Sequence, residues 1–144
     1  MAHEQRLLTA PFLLAGLANL LHGLALHSYL HLPGYLEDLG AGPTRVGVVL
    51  GAMSGAAIVI RPVAGRVMDG AGRRIVIRAA GVLHLVACAL YLTVDSVGPW
   101  IVAVRSLQGF ASGAMFSSLF TFAADIVPAD RRTEGMGLFG VSGM

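Results

Sequence analysis

Two groups of polar residues stand inside otherwise apolar stretches of this chain, and both have a spacing that suits chemistry. The first is Arg105-Ser106-Leu107-Gln108-Gly109-Phe110-Ala111-Ser112-Gly113. On a helix, Arg105, Gln108 and Ser112 stand at i, i+3 and i+7, which gives one polar stripe on one face. Arg at the centre of a membrane helix costs about 2.5–3.5 kcal/mol on insertion scales, so the stripe should face a cavity or another polar helix. An Arg that only ties helices together would show the same pattern. The second group is Gly65-Arg66-Val67-Met68-Asp69-Gly70-Ala71-Gly72-Arg73-Arg74. Asp69 lies near the C-terminal end of one apolar stretch, and Arg73 and Arg74 open the next. Each charge is at the end its helix dipole disfavours. Asp125, near the end of a later stretch, is misplaced in the same way. Misplaced charges of both signs in one layer should compensate one another, so Arg73 is expected to pair with Asp125 and to lie near Asp69.

Other polar residues carry weaker signals. Asn19 and His22 stand at i and i+3 near the middle of the first apolar stretch, and with Ser112 they are the candidate substrate-cavity residues. His22 is the leading titratable group there, although a hydrogen-bonded packing histidine fits equally well. Packing is the simpler role for His84. His27 and His31 are one turn apart, a spacing that suits metal ligation in principle. They also lie near a membrane interface with no further ligand set evident, so no metal site and no cofactor are expected. Cys88 lies in an apolar run and reads as a buried, inert thiol. No disulfide framework is possible with one cysteine.

The elements that position these residues follow from composition. Hydrophobic residues make up 56% of the 144 and charged residues only 12%, against about 25% charged in soluble domains. Too little polar surface is present to coat a water-soluble globule, and the mean hydropathy is positive. A net charge of +2 gives a nucleic-acid partner little support. A bilayer span needs about 20 mainly apolar residues, and four segments meet that length: 7–30, 46–67, 75–94 and 100–126. Pro33-Gly34, Gly40-Ala41-Gly42-Pro43, Gly70-Ala71-Gly72, Gly98-Pro99 and Pro128 supply the breaks. A fifth segment begins near Glu134. The first apolar run is longer than the core of a secretory leader and lacks a cleavage pattern, so it reads as a retained helix. Small residues at Gly47, Gly51 and Gly55, and again at Gly109 and Gly113, have the four-residue spacing that lets membrane helices pack closely.

All ten basic residues are Arg. Arg6, Arg61, Arg66, Arg73, Arg74, Arg78, Arg131 and Arg132 fall on one side of the four spans, whereas the opposite loops hold only Arg45. Basic loops stay in the cytoplasm, so the N-terminus and the second and fourth loops are expected there. The acids, from Glu4 to Glu134, all lie near loops or ends; none occupies the middle of a span.

The loop from Gly65 to Arg74 resembles the signature loop of the major facilitator superfamily, G-x-x-x-D-x-x-G-R-[RK], between helices 2 and 3. Arg105-x-x-Gln108-Gly109-x-x-x-Gly113 is similar to that family's helix 4 pattern. Within the signature loop, Gly70 departs from the family pattern, a basic residue being common there, and so does Met68, where a small residue is usual. The segment Pro128–Gly135 is similar to the family's helix 4–5 connection. The resemblance implies an all-α membrane protein: the N-terminal part of a twelve-helix fold, with four transmembrane helices and the start of a fifth.

The resemblance further implies alternating access between two six-helix halves around a midplane site. Asp69 would engage a helix of the second half, which this sequence does not contain. Arg105 would take part in proton transfer or substrate-coupled switching. A loop whose charges merely set topology is the plainer reading of the Gly65–Arg74 segment. The expected function is transport of a small organic solute, most similar to bacterial drug and metabolite exporters, with proton-coupled efflux ahead of uptake by symport. The setting is a bacterial inner membrane, multi-pass, and the partners are lipid, the solute, protons and the missing C-terminal half. A membrane enzyme would need a convergent nucleophile and base that the sequence lacks. A truncated four-helix protein without transport activity is the remaining alternative, and an early stop in the downstream coding sequence would favour it.

Overall fold

The structure, a computed structural model, describes residues 7–144; Glu4 and Arg6 lie outside the described residues. Among the described residues, all regular structure is helical: α1 (Ala10–His27), α2 (Leu32–Asp38), α3 (Pro43–Ala71), α4 (Arg73–Leu90), α5 (Pro99–Ile126) and α6 (Arg132–Val141). Short 3-10 turns stand at Ser28–His31, Tyr91–Thr93 and Ala129–Arg131. Proline sits in the first turn of α1, α2 and α3, and Pro99 opens α5. In a first turn its missing N–H has no helical partner to lose, and its fixed φ is already helical. Thr9 completes the start of α1 by accepting from the Phe12 N–H at 3.4 Å.

Three helical stretches are long and apolar enough to cross a membrane: Ala10–Asp38, Pro43–Ala71 and Arg73–Thr93. Pro99–Ile126 passes the same test together with Ala129–Val141, the two bent by 119° at their break. The distribution of side chains is the reverse of that in a soluble protein. Leu13, Leu14, Leu17, Leu21 and Leu24 on α1, Ile58 and Val59 on α3, and Val82 and Leu85 on α4 are exposed. Asn19, His22, His84, Arg105, Gln108, Ser112 and Ser118 are buried. Exposed leucines cost nothing against lipid, whereas polar groups turn toward the protein interior. The chain is a multi-pass membrane protein.

The described residues form two compact units. One consists of residues 7–29 with 119–144. Its centre is Phe139, 1% exposed, which meets Phe12 and Phe120 edge-on at 6.2 and 5.1 Å between ring centroids. The other unit is Leu30–Ser118. There α3 and α4 form a hairpin whose core is Ala64, Met68, Val76 and Ala80, with Ala114 of α5.

Several boundaries differ from the sequence expectation. Pro33 does not open a loop; it occupies the first turn of α2. Gly70 and Ala71 remain helical, and the turn expected over three residues is made by Gly72 alone, at φ 91° and ψ 157°. Helix α3 extends beyond the apolar segment at both ends, because a helix does not have to stop where its hydrophobic stretch does. Cys88 is partly exposed, not buried as its apolar surroundings suggest.

Candidate functional site

The polar stripe of α5 is built within the second unit. Arg105, Gln108 and Ser112 are each more than nine-tenths buried, Gln108 completely so. Arg105 Nη1 donates to Gln108 Oε1 at 2.6 Å. The Tyr91 hydroxyl donates to the same oxygen at 2.6 Å and accepts from Arg105 Nη1 at 3.3 Å. The three groups close a triangle that joins the turn after α4 to α5. Arg has donors only, so the Gln108 atom facing it must be the oxygen, and the carboxamide has one allowed orientation.

Tyr91 is the member of this triangle that the sequence reading missed. No periodicity connects it to Arg105, because the two lie on different helices. The available signal was the hairpin: Tyr91 and Arg105 stand at comparable distances on either side of the Gly98-Pro99 turn.

The two glycines of the same pattern set how closely α5 approaches α3. A Cβ on Gly113 would stand 2.6 Å from the Ala57 carbonyl oxygen and 2.8 Å from Ala57 Cα; one on Gly109 would collide with the Met53 carbonyl. By contrast, a Cβ on Gly47, Gly51 or Gly55 meets nothing within 4 Å. The close packing expected of both glycine series belongs, among the described residues, to α5 alone. Lower on α3, the Arg61 guanidinium lies 5.9 Å from the centroid of the Phe116 ring, a distance suited to a cation–π contact.

In the signature loop, Asp69 lies in the last turn of α3 and is exposed, while Arg73 and Arg74 are the first residues of α4. Gly72 N–H and Arg73 Nη1 both donate to the Met68 carbonyl, at 3.0 and 3.2 Å. Arg73 therefore caps the C-terminal end of α3, where a cation is favoured. The misplacement inferred from its own helix is offset by the helix before it. Gly65 has open space around its Cα, so its role is not steric. Asp125, exposed near the end of α5, belongs to the other unit.

Within the first unit, Asn19 Nδ2 donates to the Phe139 carbonyl and to Ser142 Oγ, both at 3.1 Å. The Asn19 amide thus ties α1 to the end of α6. His22 is buried one turn further along α1. His27 Nδ1 is 2.8 Å from the Gly23 carbonyl, an intrahelical bond that occupies one ring nitrogen. Among the described residues, no group of three or more His, Cys, Asp or Glu is placed to hold a metal ion. At the connection after α5, Arg131 holds Glu134 by two hydrogen bonds of 2.9 and 2.7 Å.

Comparison with known proteins places the chain. The sequence profile of the family described as the Major Facilitator Superfamily matches residues 7–144. The staphylopine export protein of Staphylococcus aureus is 30% identical over 105 residues, which is 73% of this chain and 26% of that protein. The hexuronate transporter of Escherichia coli (strain K12) is 31% identical over 109 residues, 76% of this chain and 25% of that protein. The chain therefore spans about a quarter of the length of the curated relatives it matches.

Proposed function

The chain belongs to the major facilitator superfamily, and from that premise we propose that it forms part of a carrier that moves a small organic solute across a membrane by alternating access. The observation that carries this reading is the pair of buried residues Arg105 and Gln108, joined to the half-buried Tyr91, among helices whose large apolar side chains point outward. A buried cation held by a fully buried Gln108 and a half-buried Tyr91 is costly in a membrane, and such groups mark solute or ion pathways. The two relatives, one named as an export protein and one as a transporter, support a carrier over an enzyme.

The finer reading is efflux driven by a proton gradient, in a bacterial inner membrane, with the N-terminus in the cytoplasm. The distribution of Arg residues supports that orientation, and the name of the staphylopine export protein supports efflux. Asp69, Arg73 and Arg74, with Gly65, Gly72 and Asp125, form the conformational switch of the proposal, and a C-terminal half, lipid and protons are its partners. His22 is the titratable group proposed to exchange protons, because no carboxylate occupies the middle of a described span.

The test is flux into proteoliposomes that contain the protein expressed with the coding sequence that follows it, with D-glucuronate as the first probe and an imposed proton gradient. Solute movement that collapses with the gradient, and loses its pH dependence in His22→Gln, is the expected result. Flux unchanged after an ionophore dissipates the gradient overturns proton coupling. Absence of flux for a broad panel of solutes overturns the transport reading.

A further inference from the structure

The triangle around Gln108 leaves a consequence on its other side. Both acceptor positions of Oε1 are filled, by Arg105 and Tyr91. Gln108 Nε2 is buried and has no hydrogen-bond partner among the described residues. Ser112 Oγ, one turn further along the same face, is buried in the same condition. The other serines show that this is not the habit of the helix. Ser106 donates to the Val102 carbonyl at 2.8 Å and Ser118 to the Met115 carbonyl at 3.1 Å, the usual way for a helical hydroxyl to satisfy itself. Ser112 does not. Buried donors left without acceptors are expensive, so a pair of them on one face calls for an acceptor.

The chemistry of that acceptor can be narrowed. Gln108 Nε2 and Ser112 Oγ both offer protons, and the guanidinium of Arg105 holds the oxygen of the same carboxamide. Neither α4 nor residues 99–124 of α5 contain an Asp or Glu. Donors backed by a cation favour an anionic oxygen over a neutral one. Resting on the transport reading above, we propose that Gln108 Nε2 and Ser112 Oγ bind a carboxylate of the solute, and that Tyr91 is a positioning residue that holds the Gln108 carboxamide with its nitrogen presented. Tyr91 acts through Gln108: without its hydroxyl the amide keeps Arg105 but loses one of the two bonds that fix its plane.

The experiment is ligand-induced thermal stabilisation of the purified protein, expressed with the coding sequence that follows it. D-glucuronate and succinate are the probes and D-glucose the neutral control. The carboxylates should raise the melting temperature in a saturable way and glucose should not. Gln108→Glu, which keeps the acceptor for Arg105 and Tyr91 but has no N–H, and Ser112→Ala should each weaken carboxylate binding about tenfold or more. Ser106→Ala, whose hydroxyl is already satisfied, should leave it unchanged. Tyr91→Phe should weaken binding in the native background and add nothing in the Gln108→Glu background; a merely structural Tyr91 would give the same added effect in both.

No stabilisation by either carboxylate, or equal stabilisation in wild type, Gln108→Glu and Ser112→Ala, overturns the proposal. Carboxylate binding without flux would sink the transport reading and leave this site standing. Flux of a neutral solute without carboxylate binding would do the reverse.

Discussion

Replacing Gly113 with Ala tests whether the helix 4 glycines are there for close approach. The added Cβ would stand 2.6 Å from the Ala57 carbonyl oxygen and 2.8 Å from both Ala57 Cα and Ile60 Cγ2. Two of those three atoms are backbone of α3, which cannot rotate aside as a side chain can. The first contact is about 0.8 Å too short for ordinary van der Waals separation, so the helices must part or shift. Overpacking of this kind costs about 1–3 kcal/mol, and Ala recovers up to about 1 kcal/mol over Gly in a helix. The net loss should be about 1–2 kcal/mol. Gly51→Ala is the matched control, because its Cβ meets nothing within 4 Å; it should be neutral or gain up to about 1 kcal/mol. Reversible unfolding of this chain in mixed micelles, followed by helical circular dichroism, measures both. Equal stability of the two variants, or a larger loss at Gly51, would refute the assignment of close packing to α5.

Gly72→Ala should destabilise the α3–α4 hairpin by about 1–3 kcal/mol, because φ 91° with ψ 157° lies in a region essentially reserved for glycine. Gly65→Ala in the same loop, with open space at its Cα, should change the melting temperature little, and a Gly72→Ala variant as stable as wild type would contradict the strain. Asn19→Ala should cost about 1–2 kcal/mol in the same unfolding assay. The loss stays small because the Phe139 carbonyl keeps the bond from Ser142 Oγ at 2.7 Å; a loss above about 4 kcal/mol would mean that Asn19 carries more than this tie.

How much of this was legible in the sequence depends on how locally each feature is encoded. Pro43 and Pro99 were read as breaks, and the structure uses both to begin helices, a preference that belongs to the residue itself. Pro33 misled for the same reason: a proline that begins a helix and one that breaks a chain look alike until the next turn is placed. The stripe of Arg105, Gln108 and Ser112 was readable because all three lie on one helix. Tyr91 was not, since its contribution arises when a hairpin folds α4 against α5. The glycines of α3 and α5 share a spacing, yet only Gly109 and Gly113 meet a neighbour here. Spacing reports that a helix can be approached closely, and only the fold says which helix does so.

The signature loop takes this one step further. Judged on their own helices, Asp69 and Arg73 both stand at unfavourable ends, and that reasoning had Arg73 pair with Asp125 and lie near Asp69. Because α3 ends at Ala71 and α4 begins at Arg73, the negative pole of one helix and the positive pole of the next meet at a single residue. Arg73 uses this directly by donating to the Met68 carbonyl, so part of its compensation is local. Asp69 does not share in that bond. It is exposed, with no hydrogen-bond or ion-pair partner among the described residues. The two charges that looked equivalent in the sequence are therefore unequal in the fold: Arg73 is bonded within the hairpin, and Asp69 stands exposed at its end.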